Sequence, residues 1–190
     1  EVFIDDLREQ LRVALASTYP YHAKVPVSDA LGVVQNGGVK ILSRWPIENG
    51  ENLKGEARVF GPPCLGFDCG AAKGVVYIKI NKNGTRYHIF GTHLQADRDI
   101  AAENKVAIPL GTNPRSARRA QFHKISEFIR EKNIPSSEAV IIAGDLNVDK
   151  TQSPAEYAEM LQVLNAEHPA VIGHPFSHDP TLNDLGSQDD

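Results

Sequence analysis

The hydrophobic pattern in the first third of the chain predicts one helix followed by irregularly connected strands. Apolar residues at four-residue spacing, after an acidic first turn, predict a helix over residues 5–17. The members of its core face are Leu7, Leu11 and Leu15. Short apolar runs at 33–34 and 39–42 flank a turn at 36–38 and predict adjacent strands, and a further strand is expected within 52–60. This order favours meandering β-structure over repeated βαβ units.

The rest of the chain predicts a β-hairpin and two more helices. Residues 73–80 and 85–90 are strand-like runs around an Asn-Gly pair, which is a strong signal for a hairpin turn. A helix is expected over 116–132, and another over 153–164. The core face of the first of these helices consists of Phe122, Ile125 and Ile129.

The run of five apolar residues at 139–143, three of them β-branched, predicts a strand buried on both faces. Asp145 and Asn147 follow it, and side chains two residues apart on an extended segment point the same way. A carboxylate at the rim of an apolar strand is costly unless a metal ion or hydrogen-bond donors compensate it. The alternative interpretation is an Asx turn in which both side chains only cap the backbone.

A second strand end repeats this arrangement. The apolar strand at 87–90 runs through Gly91 to His93, which stands just past the strand as Asp145 does. A lone histidine in such a place is more often a structural residue than a catalytic one. Two strand ends, each with a glycine followed by a residue capable of catalysis, considerably narrow the difference between the structural and the catalytic interpretation.

Composition excludes some classes of protein. The chain has 190 residues, 41% hydrophobic and 23% charged, which suits one domain with a core of its own. A formal net charge of −4 disfavours a nucleic-acid binder, and no apolar run approaches the roughly 20 residues of a membrane span. Arg118 and Arg119 are expected to face solvent or to reach an anionic ligand. Because the chain opens at Glu1 as if inside a strand, we expect a fragment or a processed piece.

Both cysteines of the chain, Cys64 and Cys69, lie in an irregular loop at 61–72. Without a nearby histidine pair they make a poor zinc site. In an oxidising compartment they would close a small local disulfide, which the glycine and proline content of the loop favours, and in the cytosol they would be free thiols.

A set of motifs stands in a fixed order along the chain: Glu1-Val2-Phe3, Asn36-Gly37-Gly38, Ser43-Arg44-Trp45-Pro46-Ile47, Lys73-Gly74, Gly91-Thr92-His93-Leu94-Gln95, Gly144-Asp145-Leu146-Asn147 and Thr181-Leu182-Asn183. In these motifs and their order the chain resembles the secreted neutral sphingomyelinases of the metal-dependent endonuclease/exonuclease/phosphatase superfamily. The resemblance implies a four-layered α/β/β/α sandwich, two mixed sheets flanked by helices, in one catalytic domain over 1–190. It also implies strands beyond both ends, including one that carries the general base, so we expect this domain to be incomplete.

The resemblance assigns roles to the residues at the strand ends. Glu1 matches the ligand of the catalytic divalent metal, usually Mg²⁺, for which Mn²⁺ or Co²⁺ are possible substitutes. Asp145 and Asn147 match the pair that positions the phosphate and the attacking water. His93 matches the histidine that stabilises the charged transition state.

Further positions match with less specific roles. Asp5 fits a peripheral second metal site of some relatives, but Gln35 and Asn36 replace its other acids, so that site is expected to be weak or absent. Lys73 and Asn183 match positions for which we expect contact with the substrate.

The activity implied by the resemblance is hydrolysis of sphingomyelin at a membrane surface to ceramide and phosphocholine. A secreted enzyme, monomeric at full length and without nucleic acid as a partner, is expected. The first alternative is another phosphodiesterase or phosphatase of the superfamily, acting on nucleic acid or a phosphoinositide. The second is a module that binds lipid head groups without turnover.

Overall fold

The protein combines helices with mixed β-structure in the computed structural model, which describes residues 3–29, 32–97 and 113–173. The helices there are α1 (Asp5–Leu15), α2 (Pro114–Glu131) and α3 (Pro154–Leu164). The strands there are β1 (Tyr21–His22), β2 (Leu42–Ser43), β3 (Glu56–Val59), β4 (Gly74–Lys82), β5 (Thr85–His93) and β6 (Ala139–Asp145). Two short 3₁₀ helices, Glu51–Leu53 and Gly66–Gly70, lie in the connections.

The larger sheet is mixed and has the strand order β3-β4-β5-β6. Strands β3, β4 and β5 are antiparallel neighbours, whereas β6 runs parallel to β5. The turn between β4 and β5 places Asn83 at φ 53° and Gly84 at φ 89°, left-handed values that an Asn-Gly pair accommodates. The predicted hairpin is therefore confirmed.

Helices α2 and α3 cover one face of the larger sheet. The buried residues of this layer are Phe60, Val75, Tyr77, Phe90, Leu94, Phe122, Ile125, Phe128, Met160 and Leu164. Helix α2 begins with a capping box: the Asn113 side chain accepts from the Ser116 N–H at 2.8 Å, and the Ser116 hydroxyl accepts from the Asn113 N–H at 2.9 Å. No helix within the described ranges is long and apolar enough to cross a membrane.

The opposite face of the sheet packs against the segment that contains β1 and β2. The buried residues of this second layer are Ala23, Ile47, Val76, Ile78 and Ile80. Strands β1 and β2 pair antiparallel as a separate two-stranded sheet. Two sheets with helices around them confirm the mixed α/β class that the sequence predicts.

Helix α1 forms where it is predicted, but its expected buried face is not found. None of its residues is buried within the described structure, and Leu7 and Leu11 are 52% and 39% exposed. Four-residue spacing makes a helix amphipathic, whereas burial requires a second element against the apolar stripe. The described elements cover little of that stripe.

Strand β6 is one of the two edge strands of the sheet, as far as the structure describes it. Val140 and Ile141 are each 43% exposed, so the expectation of a strand buried on both faces is wrong here. The layer that buries β4 and β5 reaches β6 only through Ile142, which packs against the helix-side core.

The predicted pair of strands around residues 36–38 is also wrong. Gln35 makes a single parallel bridge to Ala71, and Leu42 belongs to β2, which pairs with β1 instead. A Cβ at Gly37 would lie 2.4 Å from the Ala72 carbonyl oxygen. The turn is therefore fixed by close packing on its neighbour segment, and its two arms do not pair.

Candidate active site

The ends of β5 and β6 bring two predicted site residues together. His93 and Asp145 are the last residues of their strands and are in register in the parallel ladder. Their side chains approach to 3.9 Å between Nε2 of His93 and Oδ2 of Asp145. Because parallel neighbours end at the same edge of a sheet, an imidazole and a carboxylate meet there.

Gly144 permits this close approach of the two strand ends. Its φ of 130° is unfavourable for other residues, and a Cβ there would lie 2.0 Å from the Thr92 carbonyl oxygen. The Leu94 N–H then donates to the Asp145 carbonyl at 3.0 Å, which extends the pairing past the strands. Any side chain at position 144 would push β6 away from His93.

Asp145 serves both a turn and the site. Its Oδ1 accepts from the Asn147 N–H at 2.9 Å, so the Asx turn considered from the sequence is present. The other oxygen faces His93, and the side chain is 51% exposed. One oxygen orients the carboxylate and the other is directed into the site.

Asn147 reaches the site by a different route from the one expected. Its φ of 48° is left-handed, so residues 145–147 are not extended and the two-residue period does not apply. The Asn147 Nδ2 donates to the Leu94 carbonyl at 2.9 Å. Its amide is thereby held against the β5 end, beside His93.

The side-chain ammonium of Lys73, the residue before β4, lies next to His93 at the end of β5. It is 5% exposed, and its Nζ donates to the Leu94 carbonyl at 2.7 Å and lies 3.2 Å from His93 Nε2. The third partner is Asp68, whose Oδ2 lies 2.8 Å from the ammonium. Asp68 was not predicted from the sequence, because nothing in a loop aspartate next to Cys69 signals a contact with a strand end.

The segment after Glu1 packs against the site. The ring of Phe3 lies 5.7 Å from the His93 ring, centroid to centroid, at 47°. The Phe3 ring would also clash with a Cβ on Gly38 at 2.6 Å, so the glycine turn makes room for it. Glu1 itself lies outside the described residues, and so does Asn183.

Asp5 is held by one hydrogen bond and one ion pair. The Asn36 Nδ2 donates to Asp5 Oδ1 at 2.9 Å and also to the Phe3 carbonyl, while Asn36 Oδ1 accepts from the Gly38 N–H at 2.8 Å. Arg8 approaches the same Asp5 oxygen at 2.6 Å. These contacts tie the start of α1 to the glycine turn, and the peripheral metal site at Asp5 stays a prediction.

The described part of the site contributes oxygen donors for a cation. Within residues 3–29, 32–97 and 113–173, no three His, Cys, Asp or Glu side chains lie close enough together to hold a metal ion. Asp145 offers a half-exposed carboxylate, and Asn147, two residues further on, has an amide oxygen. Carboxylate and amide oxygens suit a hard ion such as Mg²⁺, so these residues fit as a partial ligand set to which Glu1 would add.

Two alternatives that the sequence left open concern the cysteines of the loop and the arginines near the start of α2. Cys64 and Cys69 form a disulfide in the structure, which is the first of the two alternatives. Arg118 was expected to face solvent or to reach an anionic ligand. It is instead 1% exposed and pairs with the side chain of Glu156 at 2.7 Å. Arg119 faces solvent with its side chain 65% exposed.

The fold and the site together define an α/β protein with a carboxylate, an imidazole and an ammonium at one edge of a mixed sheet. The chain belongs to the Endonuclease/Exonuclease/phosphatase family, which it matches over residues 1–186.

Curated proteins to which the chain is similar belong to a narrower class within this family. The chain is 37% identical over 198 residues to a sphingomyelinase C of Leptospira interrogans and 40% identical over 155 residues to one of Bacillus cereus. These alignments cover 98% and 80% of the chain but only 33% and 42% of the relatives. The chain therefore spans less than half the length of either relative.

A solved structure resembles the protein closely. A beta toxin variant from Staphylococcus aureus with bound magnesium ions is 34% identical and superimposes with a TM-score of 0.79. That likeness covers 96% of this chain and 61% of the toxin chain. Both the fold and the order of the elements are thus shared with this toxin.

Proposed function

We propose that the protein is a metal-dependent phosphodiesterase that hydrolyses sphingomyelin to ceramide and phosphocholine. The observation that carries the proposal is the in-register pairing of His93 with Asp145, with Lys73 beside the imidazole. Support comes from the similarity of the chain to proteins named sphingomyelinase C. Since the chain spans less than half of those relatives, the activity is assigned to the full-length protein.

The geometry suits attack of water on a phosphodiester. Asp145 Oδ2 faces the site and accepts a hydrogen bond from the water, while the Asn147 N–H holds the carboxylate plane through Oδ1. His93 Nε2 lies 3.2 Å from Lys73 Nζ and 3.9 Å from Asp145 Oδ2. A phosphate bound at the half-exposed Asp145 would meet the imidazole, and the buried ammonium behind it adds positive charge that stabilises the charge developing on the phosphate oxygens.

A divalent cation completes this proposal. Glu1 would hold it, and when bound it polarises a phosphoryl oxygen and offsets negative charge at phosphorus. We expect Mg²⁺, with Mn²⁺ or Co²⁺ as substitutes, because the ligands available are oxygens. The magnesium ions in the related toxin structure support this choice.

The proposed place of action is outside the cell, at a membrane surface. The Cys64–Cys69 disulfide supports an oxidising compartment, since such bonds persist mainly in secreted and extracellular proteins. Sphingomyelin as the substrate makes the bilayer surface the partner.

The test is release of phosphocholine from sphingomyelin vesicles by the full-length protein, with Mg²⁺ and with a chelator. Asp145→Asn keeps the acceptor of the turn but removes the charge, and turnover should fall by well over tenfold. Asp149→Asn is the matched control, because Asp149 Oδ1 also caps a turn, accepting from the Thr151 and Gln152 N–H groups at 2.7 and 2.8 Å.

Two results would overturn the proposed activity, and a third would overturn the role of Asp145. Vesicle binding without turnover would indicate a head-group binding module. Cleavage of DNA or a phosphoinositide in place of sphingomyelin would assign another activity of the family. Retention of activity within about tenfold by Asp145→Asn, roughly 1.4 kcal/mol in the barrier, would remove this carboxylate from the chemistry.

A further inference from the structure

We propose that Gln95 is a positioning residue that seats the disulfide loop (residues 61–72) on the end of β5 and so places Lys73 against His93. The inference rests on the proposed function, since it concerns the catalytic geometry of the same site. Gln95 follows His93 by two residues, is 0% exposed and has no direct contact with the reacting groups assigned above.

The side chain of Gln95 grips one residue of the loop at both of its backbone polar groups. Its Oε1 accepts from the Leu65 N–H at 2.9 Å, and its Nε2 donates to the Leu65 carbonyl at 3.3 Å. The Nε2 also donates to the Ala96 carbonyl at 3.3 Å. An amide that pairs with both groups of one residue fixes the distance and the orientation of that residue, as a rung of a β-ladder does.

The loop also places the carboxylate of Asp68 next to the ammonium of Lys73. Asp68 Oδ2 accepts from the Ala96 N–H at 2.8 Å and lies 2.8 Å from Lys73 Nζ. Cys64 and Cys69 are joined across a separation of five residues, and this ring contains both Leu65 and Asp68. Leu65 and Asp68 are therefore constrained to move together, so the grip of Gln95 on one controls the position of the other.

Gln95 can hold the loop because its own backbone is anchored to the helix layer. Its N–H donates to Gln121 Oε1 at 2.9 Å, and its carbonyl accepts from Arg118 Nη1 at 3.1 Å. Arg118 is in turn bound by the buried carboxylate of Glu156. The Gln95 side chain thus connects the loop to the buried layer that α2 and α3 form on the sheet.

Loss of the Gln95 side-chain hydrogen bonds should act on the chemical step. Without them the ring closed by the disulfide is held at Asp68, because the other backbone bonds of the loop lie at its two ends, at Pro62 and at residues 70–72. The Asp68 carboxylate then shifts, and the Lys73 ammonium loses its orientation toward His93. A displacement of about 1 Å in such a site costs roughly 10²-fold in rate. KM should change far less than kcat, because the displaced ammonium acts mainly on charge that develops in the transition state.

The first variant is Gln95→Met, which keeps the length of the side chain and removes its hydrogen bonds. In the full-length protein we expect kcat to fall by about 10- to 100-fold, with KM within about threefold. Asn49→Leu is the matched control, because Asn49 makes a similar clamp elsewhere: its Oδ1 accepts from the Lys79 N–H at 2.6 Å and its Nδ2 donates to the Tyr77 carbonyl at 3.5 Å. The control should lower thermal stability and leave kcat unchanged.

A second variant separates positioning from packing. Gln95→Glu introduces a carboxyl that, when protonated, accepts and donates as the amide does, and that loses the donor when ionised. Burial raises the pKa of such a group, so the protonated form is present at acid pH and disappears as the pH rises. The ratio of kcat for this variant to wild type should therefore fall with rising pH, and a ratio independent of pH would contradict the proposal.

Amide hydrogen exchange tests the clamp without turnover. In Gln95→Met the Leu65 and Ala96 amides should exchange faster, while amides in the middle of β4 and β5 stay protected. Unchanged exchange at Leu65, or unchanged kcat in Gln95→Met, would overturn the inference. An inactive wild-type protein would overturn the proposed function and, with it, the effect of Gln95 on kcat. Hydrogen exchange at the Leu65 amide would still show whether Gln95 holds the loop in place.

Discussion

Replacement of Arg118 should produce a large loss of stability, because this arginine is part of a buried ion pair between α2 and α3. Its side chain and that of Glu156 are 2% and 4% exposed. The guanidinium contacts both carboxylate oxygens, Nε to Oε1 at 2.7 Å and Nη2 to Oε2 at 2.9 Å. Its Nη1 binds Asp97 at 2.7 Å and the Gln95 carbonyl at 3.1 Å. This is the paired, bidentate geometry in which a buried charge is tolerated.

Arg118→Met should lower the free energy of unfolding by about 3–5 kcal/mol, because it leaves the carboxylate of Glu156 buried without its partner. The double change Arg118→Met with Glu156→Leu removes both charges. Its remaining cost is mainly the lost hydrogen bond to the Gln95 carbonyl, about 1 kcal/mol, since Asp97 is 65% exposed and is solvated by water. We therefore expect the double variant to be more stable than Arg118→Met alone.

Urea denaturation of the full-length protein measures these differences through the midpoint, provided that the slope with denaturant is unchanged. Arg119→Met is the control on the same helix, because Arg119 pairs with Glu159 at 2.7 Å but is 65% exposed. That pair should contribute less than about 1 kcal/mol. Equal losses for Arg118→Met and Arg119→Met, or a double variant no more stable than Arg118→Met, would refute the reasoning.

Three further outcomes are expected. His93→Ala should lower kcat far more than it raises KM, because a transition-state donor acts on the chemical step, and steady-state kinetics would show a change confined to KM if this is wrong. The hydrogen bond with His88 lowers the pKa of Glu138 below its usual 4.5. The stability that this pair contributes is therefore present above pH 4.5 and is lost as the pH falls through the lowered pKa. Glu138→Gln should flatten that part of an acid-unfolding curve. Replacing Cys64 and Cys69 by serine should lower the unfolding free energy by about 2 kcal/mol, measured by calorimetry, since the closed loop is short.

The strand ends were predictable because the signals there are local. An apolar run followed by glycine and a polar residue marks the end of a strand, and both His93 and Asp145 lie at such ends. The hairpin between β4 and β5 followed from one Asn-Gly pair for the same reason. The helices depended on periodicity within a single segment, and they form within a few residues of the expected bounds.

The errors concern interactions between distant segments. The partner of Arg118 lies 38 residues along the chain, so its sequence neighbours could not distinguish a solvent-facing arginine from a buried one. The contact of Asp68 with Lys73 depends on how a disulfide loop seats on β5. The exposure of Val140 follows from which layers extend over β6, a property of the surroundings of the strand and not of its own composition.

The direction of β6 decides whether a site exists at all. Parallel pairing places His93 opposite Asp145. If β6 were antiparallel to β5, the residue opposite His93 would come from the other end of β6, near Ala139. Parallel neighbours need a crossover, and α2 lies in the connection between β5 and β6 and packs on the sheet. The contacts that fix α2 to the β5 end, above all those of Arg118, therefore hold this crossover on the sheet. For this reason we expect changes in the helix layer to affect turnover as well as stability.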